Sequence, residues 1–285
     1  MFKVEYAEEK LRYLSTYVTE HIYPEKREEI IMKRIDSTKN ELVKQWKKLH
    51  KKRGRENAGQ FLIEGFHLIE EALQAGIKLD TVIITEDTIL PVEWTIEQNR
   101  LVLTTESVMK DLSETDSPQG VIAVCVLPAD VEVPARSGRF LMIDRVQDPG
   151  NIGTLIRTAD AVGLDGIILE KGSVDIYNSK VIRASQGSIF HVPIVKGDLL
   201  EWVHTFKQAG VPVFGTSLQQ ASSYTAIEPQ KNFALILGNE GEGVQKQLLD
   251  ETDQNLYIPI YGKAESLNVA IAAGILLYHL RNESF

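Results

Sequence analysis

Three polar, glycine-containing segments of this 285-residue sequence have residue types suited to ligand binding and group transfer. The first is DRVQDPGNIGTLIR, in which Asn151 is suited to cap a helix and Arg157 follows six residues later. An arginine near a turn rich in glycine and polar groups suits recognition of a phosphate or a carboxylate. The alternative, and the usual one for an arginine, is a solvent-exposed helix position without a ligand.

The second segment is LILGNEGEGV, in which three glycines stand between an apolar run and a helical segment. Glycines in that position leave backbone N–H groups accessible to a ligand, whereas Glu240 and Glu242 disfavour a bound phosphate. The segment matches neither G-x-G-x-x-G nor the phosphate-binding pattern G-x-x-x-x-G-K-[ST]. A plain strand-to-helix turn is an equally good interpretation of this loop taken alone.

The third segment is YIPIYGKAESLNVAIAAGI, in which Ser266 is predicted to cap a helix rich in alanine and glycine. Small residues allow a helix to approach its neighbour closely. Taken alone, Ser266 and Asn268 would be interpreted as helix-start residues without a further function.

Other chemistries have no support in the sequence. The six histidines show no metal-binding spacing and Cys125 is the single cysteine, so we expect no metal site. The G-x-S-x-G pattern of serine hydrolases is absent from the sequence. No apolar run has the roughly 18 residues of a membrane span, and the first residues lack the apolar core of a signal peptide. These observations predict a cytoplasmic protein that does not enter a membrane.

Short apolar runs alternate with helical segments in two parts of the chain. From Phe61 the alternation predicts a small α/β sandwich that ends near residue 128, followed by a polar linker at 129–139. Six strand-length runs between 140 and 260 alternate with helices, which predicts a parallel sheet covered on both faces. In such sheets ligands bind beyond the carboxyl ends of the strands. The polar residues directly after each run are therefore the candidate site residues.

Positive charge is concentrated in one segment. The net charge of the whole chain is −9. Residues 32–60 hold ten Lys and Arg against three Asp and Glu, so the remaining residues carry 21 − 37 = −16. Clustered Lys and Arg are typical of a surface that contacts nucleic-acid phosphates, although a solvated helix face is the alternative. Residues 1–31 differ in composition from this arm, and we expect them to be an N-terminal extension that contributes little.

The three segments, in this order, resemble the signature motifs of the SpoU/TrmH-type SPOUT RNA methyltransferases. The resemblance extends to VIRASQGSIFHVPI and to FLIEGFHLIEEAL and SPQGVIAVC, which are similar to the substrate-binding domain of the two-domain members. It covers roughly residues 32–282 and implies an RNA substrate-binding domain at 32–128 and a SPOUT methyltransferase domain at 140–285. The implied fold is a parallel α/β sheet with a deep trefoil knot, and the implied assembly is a homodimer.

The resemblance also implies a cofactor and the residues that bind it. S-adenosylmethionine (SAM) is expected in the knot, held largely by backbone groups. The expected cofactor-binding residues follow three of the predicted strands: Thr216, Ser217, Leu218, Gly238, Asn239, Gly241, Ile258 and Leu267.

The family's catalytic arginine corresponds to Arg157. A guanidinium stays protonated in proteins, so we expect Arg157 to grip an RNA phosphate and to stabilise the developing alkoxide. Ser266 and Asn268 are expected to make hydrogen bonds to substrate and within the knot loops. Glu240 and Asn151 are expected to orient Arg157 and the SAM loop.

The resemblance predicts methyl transfer from SAM to a ribose 2′-hydroxyl, with ribosomal RNA favoured as the substrate. Within the same class, the alternative is a transfer-RNA 2′-O-methyltransferase. From a different class, the alternative is a non-catalytic RNA-binding factor in ribosome assembly.

Overall fold

The computed structural model describes residues 32–129 and 131–281, so the proposed extension at 1–31 lies outside the described residues. The chain divides into two compact units, with the boundary after Leu127. Within the described ranges, no helix is both long enough and apolar enough to span a membrane.

The first unit is built on a five-stranded mixed sheet. Its strands are β1 (Lys33–Ile35), β2 (Gln60–Glu64), β3 (Leu79–Thr85), β4 (Leu101–Thr104) and β5 (Val121–Val126). Its helices are α1 (Glu41–Lys48), α2 (Lys52–Ala58), α3 (Phe66–Gln74) and α4 (Glu106–Leu112). The strand order is β1-β4-β3-β5-β2, with β1, β4 and β3 parallel and β5 antiparallel to both neighbours.

Apolar residues at helical spacing anchor helix α1 of this unit to the sheet. Val43, Trp46 and Leu49 recur at helical spacing and are buried against the sheet together with residues of α4. The lysines between them consequently face solvent. Strand β5 is buried along nearly its whole length, including Cys125, because helix α3 packs against it as well. The expected α/β sandwich is confirmed in this unit.

The second unit contains a seven-stranded parallel sheet. Its strands are β6 (Arg139–Ile143), β7 (Gly166–Leu169), β8 (Ile194–Lys196), β9 (Val213–Thr216), β10 (Ser222–Ser223), β11 (Phe233–Leu237) and β12 (Gln254–Tyr257). Its helices are α5 (Pro149–Val162), α6 (Ser179–Ser185), α7 (Leu199–Gln208), α8 (Lys246–Glu251) and α9 (Val269–Arg281). The order is β10-β12-β9-β11-β6-β7-β8.

Helices lie on both faces of this sheet, as its near-continuous apolar strands predict. Phe140 and Met142 of β6 face a core that includes α7 and α8. The alternate residues Leu141 and Ile143 are also fully buried, and α5 packs against both α6 and α9, with α5 on β7 and α9 on β11. The six predicted strands are present, and β10 is an addition that no apolar run in the sequence indicates.

Two predicted helix caps are wrong. Asp148, not Asn151, caps α5, because its carboxylate accepts a hydrogen bond from the Asn151 backbone N–H at 2.8 Å. Asn268, not Ser266, caps α9, since its Oδ1 accepts from the Ala270 backbone N–H at 2.9 Å. Both predicted caps have suitable side chains, but a better-placed capping residue lies two or three positions away.

Candidate active site

The candidate residues follow four strands that are immediate neighbours in the parallel sheet, in the order β12-β9-β11-β6. The carboxyl ends of parallel strands meet at one edge, so the segments after these strands share that edge. Ile258, Ser266, Leu267 and Asn268 follow β12, and Thr216–Leu218 end or follow β9. Gly238, Asn239, Glu240 and Gly241 follow β11, and Asn151 and Arg157 follow β6 on helix α5.

Asn151 joins the three signature segments through its side-chain amide. Its Nδ2 donates to Glu240 Oε1 at 3.0 Å, and its Oδ1 accepts from Asn268 Nδ2 at 2.9 Å. The other carboxamide atom of Asn268 caps α9, so Asn268 ties the start of the last helix to the start of α5. These hydrogen bonds bring together residues that are 89 and 117 positions apart in the sequence.

Glu240 also fixes the turn that precedes α5. Its carboxylate accepts from the backbone N–H groups of Gln147 and Asp148, each at 3.3 Å. Partial burial alone would raise the pKa of Glu240, but the hydrogen bonds from Asn151 and from these backbone groups outweigh burial and lower it. Glu240 therefore remains a carboxylate at neutral pH and holds its donors as an acceptor.

The loop after β11 closes on itself around Asn239. Its backbone pairs in both directions with Gly243, and its Oδ1 accepts from the N–H groups of Gly241 and Glu242 at 2.9 and 3.2 Å. A Cβ at Gly238 would lie 2.1 Å from the Gly243 carbonyl carbon and the Val244 nitrogen, so only glycine fits there. Asn239 and Gly238 thus shape the loop through its own backbone.

Asp144 is a site residue that the sequence reasoning did not single out. It is fully buried at the end of β6 and accepts from the backbone N–H of Gln245 at 2.7 Å and from its Nε2 at 2.8 Å. Arg145 Nε donates to the same carboxylate at 2.9 Å, and the Arg145 carbonyl accepts from Asn239 Nδ2. This cluster clamps both ends of the β11 loop to β6. An acidic residue directly after the run FLMI was the available signal.

Arg157 is exposed on α5 and lies six residues after Asn151 in the same helix. Its guanidinium makes no hydrogen bond or ion pair with other residues of the described ranges. The expected hydrogen bonds that would orient Arg157 through Glu240 and Asn151 are therefore not among those these two residues make. The structure therefore brings Asn151, Glu240 and Asn268 together, and leaves Arg157 exposed six residues further along the same helix with its donors available. Ser266 is exposed in the segment before α9.

The expected cofactor residues offer mainly backbone groups. The Thr216 hydroxyl donates to the Ile236 carbonyl at 3.0 Å, and the Ser217 hydroxyl donates to the Gln219 carbonyl at 2.9 Å. These hydroxyls are already engaged within the protein, which leaves the main chain as the source of contacts. Leu218 and Leu267 add apolar side chains that are 69% and 39% exposed. Backbone donors and acceptors beside accessible apolar side chains fit an adenosine group, which presents polar edges and an apolar face.

Metal binding has no counterpart in the described ranges, where no group of three or more His, Cys, Asp and Glu is arranged to hold an ion.

Family models match both units of the chain. Residues 138–278 match the SpoU rRNA Methylase family, and residues 40–123 match the MRM3-like substrate binding domain. All three signature segments lie within the first of these matches.

Individual relatives extend over nearly the whole described chain. The chain is 48% identical over 251 residues to the 23S rRNA (guanosine(2553)-2′-O)-methyltransferase RlmP of Bacillus subtilis, covering 88% of this chain and 100% of that protein. It is 33% identical to the 23S rRNA (uridine(2479)-2′-O)-methyltransferase of Streptomyces viridochromogenes, over 85% of this chain and 90% of that protein.

A solved structure agrees with this similarity. The AdoMet-bound rRNA methyltransferase from Sinorhizobium meliloti superposes with a TM-score of 0.78 at 34% sequence identity, covering 87% of this chain and 97% of that chain.

Proposed function

Because the chain belongs to the SpoU rRNA methylase family, we propose that it transfers a methyl group from SAM to a ribose 2′-hydroxyl of ribosomal RNA. The observation that carries this proposal is the hydrogen-bonded chain Glu240–Asn151–Asn268, which unites the three signature segments at the start of the helix that carries Arg157. Relatives that act on 23S rRNA favour ribosomal over transfer RNA. The non-catalytic alternative is disfavoured, since relatives of this chain are named as rRNA 2′-O-methyltransferases and each proposed site residue is present in the sequence.

The cofactor is proposed to lie against the loops after β9, β11 and β12. Thr216–Leu218, Gly238, Asn239, Gly241, Ile258 and Leu267 would hold it, chiefly through backbone groups. When bound, SAM supplies an electrophilic methyl group on a sulfonium sulfur. The Asp144 clamp and the Asn239 turn would keep the central loop in one shape, so that little ordering is required when the ligand binds.

The ribose 2′-hydroxyl is a weak nucleophile and must lose its proton as its oxygen forms the new bond to the methyl carbon. The bond from that carbon to the sulfonium sulfur would break at the same time and leave a neutral thioether. A guanidinium group is not deprotonated in proteins, so Arg157 is not assigned the role of base. We assign Arg157 to binding an RNA phosphate and to stabilising the negative charge that develops on the 2′-oxygen. The proton would leave to water, to which the exposed side of α5 gives access.

Asn151, Glu240 and Asn268 would act by position. Their hydrogen bonds hold the start of α5 against the loops after β11 and β12, so that Arg157 is fixed relative to the cofactor loops. Ser266, exposed in the segment before α9, is available for a hydrogen bond to substrate.

A homodimer is supported by the exposed side of α9. Ile271 and Tyr278 are each 57% exposed, and a Cβ at Gly274 would meet nothing within 4 Å. Residues 271, 274 and 278 recur at helical spacing and form one accessible stripe. We propose that a second copy of the chain covers this stripe, that the segment from β11 to α9 forms the trefoil knot, and that the protein works in the cytoplasm.

The test is methyl transfer from tritiated SAM to ribosomal and transfer RNA from a strain that lacks the gene, followed by nucleoside analysis. We expect a labelled 2′-O-methylnucleoside in ribosomal RNA. Arg157→Ala should lower kcat by about 10²–10³ with unchanged SAM affinity, as for loss of one oxyanion donor. Arg157→Lys keeps the charge and loses the planar pair of donors, so its kcat should fall between those of the wild type and Arg157→Ala. Full activity of Arg157→Ala would refute this role.

A further inference from the structure

The turn between α1 and α2 carries four cationic side chains between positions 48 and 53. Lys48 ends α1, Lys51 precedes α2, and Lys52 and Arg53 begin it. All four are exposed, and we call this set the basic corner. Of the four, Lys52 forms a 3.8 Å pair with Glu56, Lys48 interacts electrostatically with Glu41, and no ion pair joins Lys51 or Arg53 to an acidic residue of the described ranges.

Four of the other six cations in residues 32–60 have partners within the protein, whereas Lys33 and Lys39 are exposed and form no ion pair in the described ranges. Arg34 forms ion pairs with Asp36 and Glu86, Lys44 pairs with Glu41 at 2.7 Å, and Lys47 pairs with Asp111 at 2.6 Å. These cations are at least partly neutralised. The basic corner is therefore the largest group of cations in residues 32–60 that is not neutralised by close ion pairs, and Lys33 and Lys39 are the others.

A buried arginine builds the turn that carries the basic corner. Arg55 is 4% exposed, and its Nη1 donates to the carbonyl oxygens of Leu49 and His50 at 2.7 and 2.9 Å. These carbonyls belong to the C-terminal end of α1, whose partial negative charge would otherwise repel an anion. Arg55 thus fixes the backbone and removes an unfavourable electrostatic contribution at the same place.

Glycine at position 54 makes the same turn possible. A Cβ there would lie 1.9 Å from the Lys48 carbonyl oxygen, so no other residue permits this approach of α2 to α1. Trp46 and Leu49 are 5% and 3% exposed and anchor α1 to the sheet. The basic corner is consequently held on a rigid support, in contrast to lysines scattered along a solvated helix.

We propose that the basic corner binds the phosphodiester backbone of the RNA substrate, an inference that rests on the proposed RNA methylation. A single-stranded or irregular RNA backbone presents closely spaced negative charges, which suit four adjacent cations. Contacts of this kind position an RNA and supply affinity, whereas they do not select the nucleotide. The excess acidic charge outside residues 32–60 repels RNA and increases the need for such a surface.

The experiment compares two variants with the same loss of charge. The first carries Lys48→Gln, Lys51→Gln, Lys52→Gln and Arg53→Gln. The control carries glutamine at four exposed lysines outside the segment, Lys78, Lys196, Lys231 and Lys246. Binding to in vitro transcribed 23S rRNA is measured between 50 and 200 mM KCl. At about 0.7 released ions per phosphate contact, the wild type should lose about 50-fold more affinity over this range than the first variant.

The control should retain the wild-type salt dependence, and both variants should keep SAM affinity and kcat at saturating RNA. Equal losses of RNA affinity in the two variants would overturn the proposal. So would a wild-type salt dependence in the variant that lacks the four cations of the basic corner. Because binding is measured apart from methyl transfer, RNA that binds through the basic corner without being methylated would refute the proposed activity alone.

Discussion

Asn151 is the residue at which the separate parts of the proposed active site meet. One side-chain amide provides a donor for Glu240 and an acceptor for Asn268, and its backbone N–H is held by the cap of α5. An asparagine can serve both neighbours because its amide presents a donor and an acceptor side by side. Aspartate has the same shape and lacks the donor, so it could not replace Asn151 without repulsion from Glu240.

Asn268 has two tasks that substitution can separate. Asn268→Asp retains the oxygen that caps α9 and removes the donor to Asn151, whereas Asn268→Ala removes both. We expect Asn268→Ala to lower the free energy of unfolding by about 1 kcal/mol, and Asn268→Asp to lower it less. Both should lower kcat. Denaturant unfolding and methyl-transfer kinetics measure these effects, and an Asn268→Asp variant with wild-type kcat would contradict the positioning role.

Glu240 should make stability depend on pH in the acidic range. Its pKa is lowered in the folded protein, so its ionised form stabilises the fold above the pKa of the unfolded chain, about 4.3. That contribution is lost as the pH falls through the lower folded pKa. Glu240→Gln lacks it at every pH. Denaturation at several pH values should show the difference between wild type and variant shrinking below about pH 5, and a constant difference would refute the assignment.

At the scale of elements, the packing of α5 against α6 positions Asn151 and Arg157. A Cβ on Gly153 would lie 2.4 Å from the Ala184 Cβ and 2.7 Å from the Val181 carbonyl oxygen. The two helices therefore touch through this glycine, and any side chain there would push them apart.

Gly153→Ala should lower the free energy of unfolding by about 1–3 kcal/mol, as overpacking does in other cores. It should also lower kcat, because α5 carries Arg157. Gly262→Ala is the control, since a Cβ there would meet nothing within 4 Å. Thermal unfolding compares the two variants. Equal stability of Gly153→Ala and the wild type would mean that α6 can yield.

The elements also show which parts of the fold the sequence can predict. Apolar runs such as FLMI and FALIL were identifiable as strands because they have strand length, alternate with helical segments, and are apolar at consecutive positions, as buried strands of a parallel sheet are. The starts of α5 and α9 could not be identified in this way, because each has two suitable capping residues close together. Asp148 competes with Asn151 as the cap of α5, and Asn268 competes with Ser266 as the cap of α9. The β10 strand has the composition Ser-Ser and no apolar signal. Asp144 was missed because its role depends on Gln245, 101 residues away.

The sequence does not contain the strand order, and the convergence of the site depends on that order. The rule for parallel sheets identified the residues after each run as candidates, whereas the neighbourhood β12-β9-β11-β6 came from the structure. The resemblance to a known family supplied the grouping of the three segments, which periodicity and composition could not have provided.

At the scale of the whole molecule, the accessible stripe on α9 predicts self-association. Ile271→Glu combined with Tyr278→Glu would place two carboxylates in the proposed interface and should convert the dimer to a monomer in sedimentation experiments. The control is Ile89→Glu with Val92→Glu, at residues 73% and 59% exposed in the first unit. A wild-type protein that sediments as a monomer, or a dimer that survives the α9 substitutions, would refute this interface.

The length of chain between the partners of Asn151 has a consequence for protein synthesis. Chains fold from the N-terminus as they are made, and contacts between distant residues form late because long loops must close first. Asn151 is made 89 residues before Glu240 and 117 residues before Asn268. A growing chain therefore carries the basic corner long before it carries a completed active site. If the proposed site is correct, we expect methyl transfer only after the last of the three segments has been translated and has docked.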